Sequence, residues 1–142
     1  MSLARFKCAL ATIHAEDSVE TAARLMKTRR VGSLLVVRSG HPVGIVTDRD
    51  LVVRAIAQGR GPGATPVGDC VTYDPITVSL NDGIETAVAL MRKHGIRRLP
   101  LVDEAGIAVG MVTADDLLVL LGGEVGAICN GIENRSDADD SR

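Results

Sequence analysis

Apolar positions recur at helical spacing twice along the chain. Val19, Ala22, Ala23 and Met26 share one face of a helix, and Ile84, Ala87, Val88 and Met91 repeat the pattern. Asp17 with Glu20, and Asp82 with Glu85, have capping-box spacing and predict the two helix starts, an Asp standing in for the usual Ser or Thr. Lys27, Arg29 and Arg30 in one copy, and Arg92, Lys93 and His94 in the other, suit the negative pole of a helix C-terminus, and Gly95 reads as a stop.

Around each helix the pattern changes to extended apolar runs. A short strand is predicted before it, at 11–13 or 76–78. Two strands follow it, at 33–37 and 43–47 or at 98–102 and 108–113, each pair joined by a turn holding Gly40 or Gly106. Pro100 has no N–H for a ladder, which predicts an edge or a bulge for its strand. A second helix closes each copy, at 48–57 and 114–121.

The two copies are one repeat. At an offset of 65, Thr12, Asp17, Glu20, Leu25, Met26 and Leu34 fall on Thr77, Asp82, Glu85, Leu90, Met91 and Leu99. One extra residue in the 103–109 turn raises the offset to 66. Gly44, Val46, Thr47, Asp50 and Leu51 then fall on Gly110, Val112, Thr113, Asp116 and Leu117. Identity at one offset, broken only in a turn, marks a duplicated structural unit. The units span 7–58 and 69–123, separated by a Gly- and Pro-rich linker at 59–68 without stable structure of its own, and followed by a disordered tail at 124–142. A unit of about fifty residues buries too little surface to stand alone, so the two are expected to pack sheet against sheet.

Composition narrows the function. The net charge is −2, and four acids against two arginines in residues 130–142 account for it, so no basic surface points to nucleic acid or acidic lipid. One Phe, one Tyr and no Trp leave no stacking platform for single strands. The longest strongly apolar stretch, Leu117 to Leu121, falls far short of the ~18 residues of a membrane span. Three cysteines, Cys8, Cys70 and Cys129, fit neither a disulfide framework nor a zinc spacing, and the expectation is a reduced, cytoplasmic chain. His14, His41 and His94 show no metal spacing, and no nucleophile–base pair or Walker sequence occurs.

The phrases GIVTDRD and GMVTADD, residues 44–50 and 110–116, carry the candidate chemistry. They can be helix caps: Thr47 and Thr113 would accept from the backbone, Asp50 and Asp116 would reach back, and Gly44 and Gly110 would ease the turn. The same atoms can bind a nucleotide. A helix start offers free N–H groups to phosphate, a Thr hydroxyl can donate there, and an Asp one turn on can accept from a ribose diol.

Twice over, strand, helix, two strands and helix ending in G-h-h-T-x-x-D (h apolar) resembles the tandem cystathionine-β-synthase (CBS) domain pair, the Bateman module, over residues 8–122. The resemblance implies an α/β (α+β) fold of two β-α-β-β-α repeats packed by pseudo-twofold symmetry through their sheets. It implies a regulatory sensor, not an enzyme, that binds AMP, ADP, ATP or S-adenosylmethionine in clefts between the repeats, with no obligatory cofactor. The alternative is a CBS-fold interaction module without a nucleotide. Carried onto this chain, Thr47 and Thr113 take the hydroxyl position, Asp50 and Asp116 the ribose acid, and Ile45 and Met111 the apolar place beside the base. Ile13 and Val78 would wall the pocket. Arg97 and Arg98 stand where relatives place a phosphate-facing basic pair, although they also read as a solvated strand end. The first copy has Gly32 and Ser33 there, and it has Arg49 where the second has Asp115. Two inequivalent clefts are expected, the second favoured for polyphosphate. The resemblance also implies a homodimer and a regulated protein partner, with no membrane or nucleic acid involved.

Overall fold

In a computed structural model the described residues are 1–123 and 126–127. Most of the predicted tail, and Cys129 with it, lie outside them. The first repeat runs β1 (Thr12–Ile13), α1 (Val19–Arg29), β2 (Ser33–Arg38), β3 (His41–Thr47) and α2 (Asp48–Leu51). The last of these widens at Val52–Ile56 into π-type bonding, in which the Ala57 N–H donates to the Val52 carbonyl at 2.8 Å. After β4 (Thr72–Tyr73) the second repeat runs β5 (Val78–Ser79), α3 (Ile84–His94), β6 (Arg98–Val102) and β7 (Ala108–Thr113). A fourth helix, α4, covers 114–123.

Two sheets result, ordered β1-β2-β3-β4 and β5-β6-β7; β1–β2 and β5–β6 are parallel, the β2–β3 and β6–β7 hairpins are antiparallel, and β4 adds antiparallel to the outer side of β3. Each sheet has its helices on one face. Ile13, Val19, Ala22, Met26, Leu34, Val36 and Val46 form one core there, and Val78, Ile84, Ala87, Met91, Leu99, Leu101 and Val112 form the other. Leu35 and Pro100 are fully buried yet belong to neither core. They lie on the faces turned away from the helices, where the sheets meet. The Ala108 N–H closes that contact on the Gly40 carbonyl at 3.0 Å.

Several predicted details change. Of the two places predicted for Pro100, the edge is not found, since β6 is the central strand, but the β6–β7 register does shift nearby, between Leu101 and Val102. In the first sheet the Leu35 N–H donates to the Ala11 carbonyl at 3.1 Å, and Pro100 is the residue the offset places there. Without that donor, β5 pairs only from Val78 onward, against Leu101, and shifts from the predicted 76–78 to 78–79. Asp17 and Asp82 do not cap the helices. Their carboxylates accept from the N–H groups of His14 and Ser79 at 3.0 Å, and the N-caps fall one residue later, at Ser18 and Gly83.

The linker is not loose. Its end forms a 3₁₀ turn at Val67–Asp69, with Val67 fully buried. The Val67 N–H donates to the Asp17 carbonyl at 2.6 Å, and the Val19 N–H to the Thr65 carbonyl at 2.9 Å. The chain start does the same to the other repeat. Leu3–Phe6 is a 3₁₀ turn, Leu3 is fully buried in the second core, its N–H donates to the Asp82 carbonyl at 3.1 Å, and the Ile84 N–H donates to the Met1 carbonyl at 3.2 Å. Tyr73 then pairs with Gly44, and Lys7 bridges to Gly110. The segment leading into each repeat therefore completes the other one.

Candidate functional site

The exchanged segments explain the glycines of the repeated phrase. Gly44 and Gly110 sit inside β3 and β7, not at a turn, and both are buried. A Cβ on Gly110 would collide with the Phe6 carbonyl oxygen. One on Gly44 would collide with a Val71 methyl and lie 2.9 Å from the Thr72 carbonyl oxygen. Each glycine lets the crossing segment lie against the strand, and the next few residues turn into the helix beside it.

In the first repeat the phrase forms a complete capping box. Thr47 Oγ1 accepts from the Asp50 N–H at 3.2 Å, and Asp50 Oδ2 accepts from the Thr47 N–H at 2.9 Å. Asp50 Oδ1 faces Arg54 Nε at 3.8 Å. That guanidinium also donates from one nitrogen to the Cys70 and Val71 carbonyls, both at 3.2 Å, joining α2 to the crossing segment. Burial pushes the Cys70 thiol above its ordinary range, which keeps it neutral there. Ile45 is half-buried in β3, opposite Leu35 and Thr72, and Arg49 is exposed.

The second repeat keeps only half of the box. Thr113 Oγ1 accepts from the Asp116 N–H at 3.0 Å, and among the described residues no hydrogen bond or ion pair engages the Asp116 carboxylate. A cleft of about 400 Å³ opens beside it, between α4 and the N-terminal segment. Met111 and Asp116 line it from the repeat, together with Leu120. Arg5, Phe6, Lys7 and Cys8 line it from the crossing segment.

Of the predicted site residues, Met111 and Asp116 share this cleft, with Thr113 between them in sequence. Arg97 turns to Asp115, 2.9 Å away in an exposed pair, and Arg98 is exposed at the start of β6. Neither lines the cleft; its cations are Arg5 and Lys7, which sequence reasoning missed. Their signal was weak, since two basic residues near a chain start gain meaning only when the segment is known to cross. Ile13 and Val78, expected to wall the pocket, are not among the residues that line this cleft. Each faces the helices and is buried in its core, because on a two-residue strand only one side chain can take that face.

The CBS domain profile matches residues 7–56 and again 67–123, so the chain belongs to the CBS-domain family. It is 41% identical over 110 residues to the CBS domain-containing protein YhcV of Bacillus subtilis, covering 78% of this chain and 77% of that one. Other curated relatives are longer, and the chain spans 53% and 21% of two of them. The fold superposes at a TM-score of 0.72 on a CBS domain protein from Pyrobaculum aerophilum complexed with AMP, at 26% identity, covering 82% of this chain and 90% of that one. It superposes at 0.75 on the CBS domain pair of protein MJ0100 in complex with 5′-methylthioadenosine and S-adenosyl-L-methionine, at 26% identity over 87% and 98% of the chains.

Proposed function

We propose that this chain is a regulatory sensor, without catalysis of its own, that takes an adenosine-containing ligand in the cleft between α4 and the N-terminal segment. The observation that carries the reading is the Asp116 carboxylate, unengaged among the described residues at the edge of a cleft with an apolar wall at Met111. Two acceptor oxygens suit the vicinal hydroxyls of a ribose, and Met111 offers an aliphatic face to the base. The Thr113 oxygen accepts from the backbone, which leaves its hydroxyl proton to donate. Arg5 and Lys7 supply positive charge to a phosphate or to a methionine carboxylate. The complexes of the structural relatives with AMP, 5′-methylthioadenosine and S-adenosyl-L-methionine support this ligand class.

Binding would draw the N-terminal segment and α4 together and so shift the relative placement of the repeats. Val52, Val53 and Ile56 on the helix after β3, and Leu118, Val119 and Leu121 on α4, are exposed. They form the surface through which a homodimer or a regulated protein would read that shift. No helix among the described residues is long and apolar enough to cross a membrane. A cytoplasmic setting is part of the proposal.

A thermal-melt series with AMP, ADP, ATP and S-adenosylmethionine tests it. Ligand at about 100 times its dissociation constant stabilises by roughly 2.7 kcal/mol. The expected result is a shift with at least one of them that disappears in Asp116→Ala. No shift with any would transfer the function to the exposed helical faces, as an interaction module.

A further inference from the structure

The two repeats carry different residues one turn after the acid of the shared motif. At an offset of 66, Arg54 falls on Leu120. Leu120 lines the open cleft of the second repeat beside Asp116 and residues 5–8 of the crossing segment. Arg54 spans the corresponding space in the first repeat, from Asp50 to the carbonyls of Cys70 and Val71. It supplies a positive charge facing Asp50 and a donor to the backbone of the crossing segment, in the place a nucleoside would otherwise take. The helix is widened to π-type bonding around this residue, whereas the described stretch of α4 at 114–123 is α-helical throughout. Such widening costs hydrogen-bond geometry and is frequent where a side chain has a special task.

We propose that Arg54 is a built-in occupant of the first repeat's cleft, so that the chain takes one adenosine ligand and not two. This rests on the preceding reading, in that the second cleft must be an adenosine site. Asp50 Oδ2 accepts from the Thr47 N–H and Oδ1 faces the Arg54 guanidinium at 3.8 Å, so a ribose would have to displace a cation paired with that carboxylate and hydrogen-bonded to two carbonyls. In the second repeat Leu120 has no donor to give, and among the described residues Asp116 stays free.

Isothermal titration with AMP and with S-adenosylmethionine tests the idea in the full chain. Wild type is expected to bind one equivalent, and Arg54→Leu about two, since it installs the second repeat's residue in the first. The reciprocal Leu120→Arg is expected to lose the wild-type site, its guanidinium pairing with Asp116. If Arg54→Leu fails to melt cooperatively, Leu120→Arg carries the test alone. A folded Arg54→Leu that still binds one equivalent overturns the proposal, as does a wild type that binds two, or a folded Leu120→Arg that binds like wild type. Failure of the parent reading shows separately, as wild type binding neither ligand. In that event binding gained by Arg54→Leu supports the occupancy of the first cleft by Arg54, and its absence ends both.

Discussion

The two repeats share a backbone plan but use the same motif residues for different ends. In the first, Thr47 is bonded to Asp50, Asp50 faces Arg54, and Arg54 donates to the crossing segment at 70–71. In the second, Thr113 makes its single cap bond, Asp116 faces a cleft, and Leu120 stands where an arginine would close it. A duplicated unit needs each copy to fold and to complete the other; the proposed function needs only one copy to bind. The first repeat has the polar groups of its motif engaged internally, whereas the second leaves the Asp116 carboxylate exposed, available to the ligand proposed for that cleft.

The largest effect should come from the strand glycines, where the copies depend on each other. Gly110→Ala places a methyl against the Phe6 backbone oxygen, and neither partner can swing aside. We expect a loss of about 3 kcal/mol in chemical denaturation, together with loss of ligand binding, because the crossing segment is one wall of the cleft. Gly44→Ala meets a Val71 methyl first and a carbonyl at 2.9 Å second, so part of the clash can relax. It should cost less and leave binding in place. Equal losses in the two variants would mean that the crossing segments are equally rigid.

A smaller effect separates the two aspartates. Asp50→Ala removes the return bond of a half-buried capping box and the partner of Arg54, and should cost about 1 kcal/mol. Asp116→Ala removes no bond among the described residues and should change stability little while it abolishes ligand-induced stabilisation. Reversed behaviour, with Asp50 needed for binding and Asp116 for stability, would exchange the roles assigned to the repeats.

Much of this was legible in the sequence, for definite reasons. The α1 and α3 faces, the hairpins and the repeat itself follow from apolar periodicity, which local backbone geometry enforces. β6 at 98–102 and β7 at 108–113 coincide with the predicted strands. The exchange of lead-in segments was not legible. Leu3 and Val67 make equivalent contacts, as do Lys7 and Tyr73, but the stretches between them differ by two residues and share no side-chain pattern. The backbone hydrogen bonds that fix them carry no side-chain signature. The candidate site has the same gap: the motif points to Met111 and Asp116, which do line one cleft, whereas Arg5, Lys7 and the role proposed for Arg54 depend on which segment crosses where.

The smallest effect concerns how α1 and α3 end. Both close with a residue in the left-handed region, Arg30 at φ 54° and Gly95 at φ 62°. The closures correspond, since the Val31 N–H returns to the Met26 carbonyl and the Ile96 N–H to the Met91 carbonyl, each at 3.1 Å. A β-carbon makes this conformation unfavourable by about 1 kcal/mol, and glycine lacks that penalty. Glycine also has more freedom to lose on folding, which offsets part of the gain. Arg30→Gly should therefore raise stability by about 0.5 kcal/mol, and Gly95→Ala should lower it by about 1 kcal/mol, both read as shifts in the denaturation midpoint. Because Arg30 lies in the repeat whose site is internally closed, its substitution should leave ligand affinity unchanged. A destabilised Arg30→Gly would show that the arginine side chain contributes more at the helix end than its backbone conformation costs.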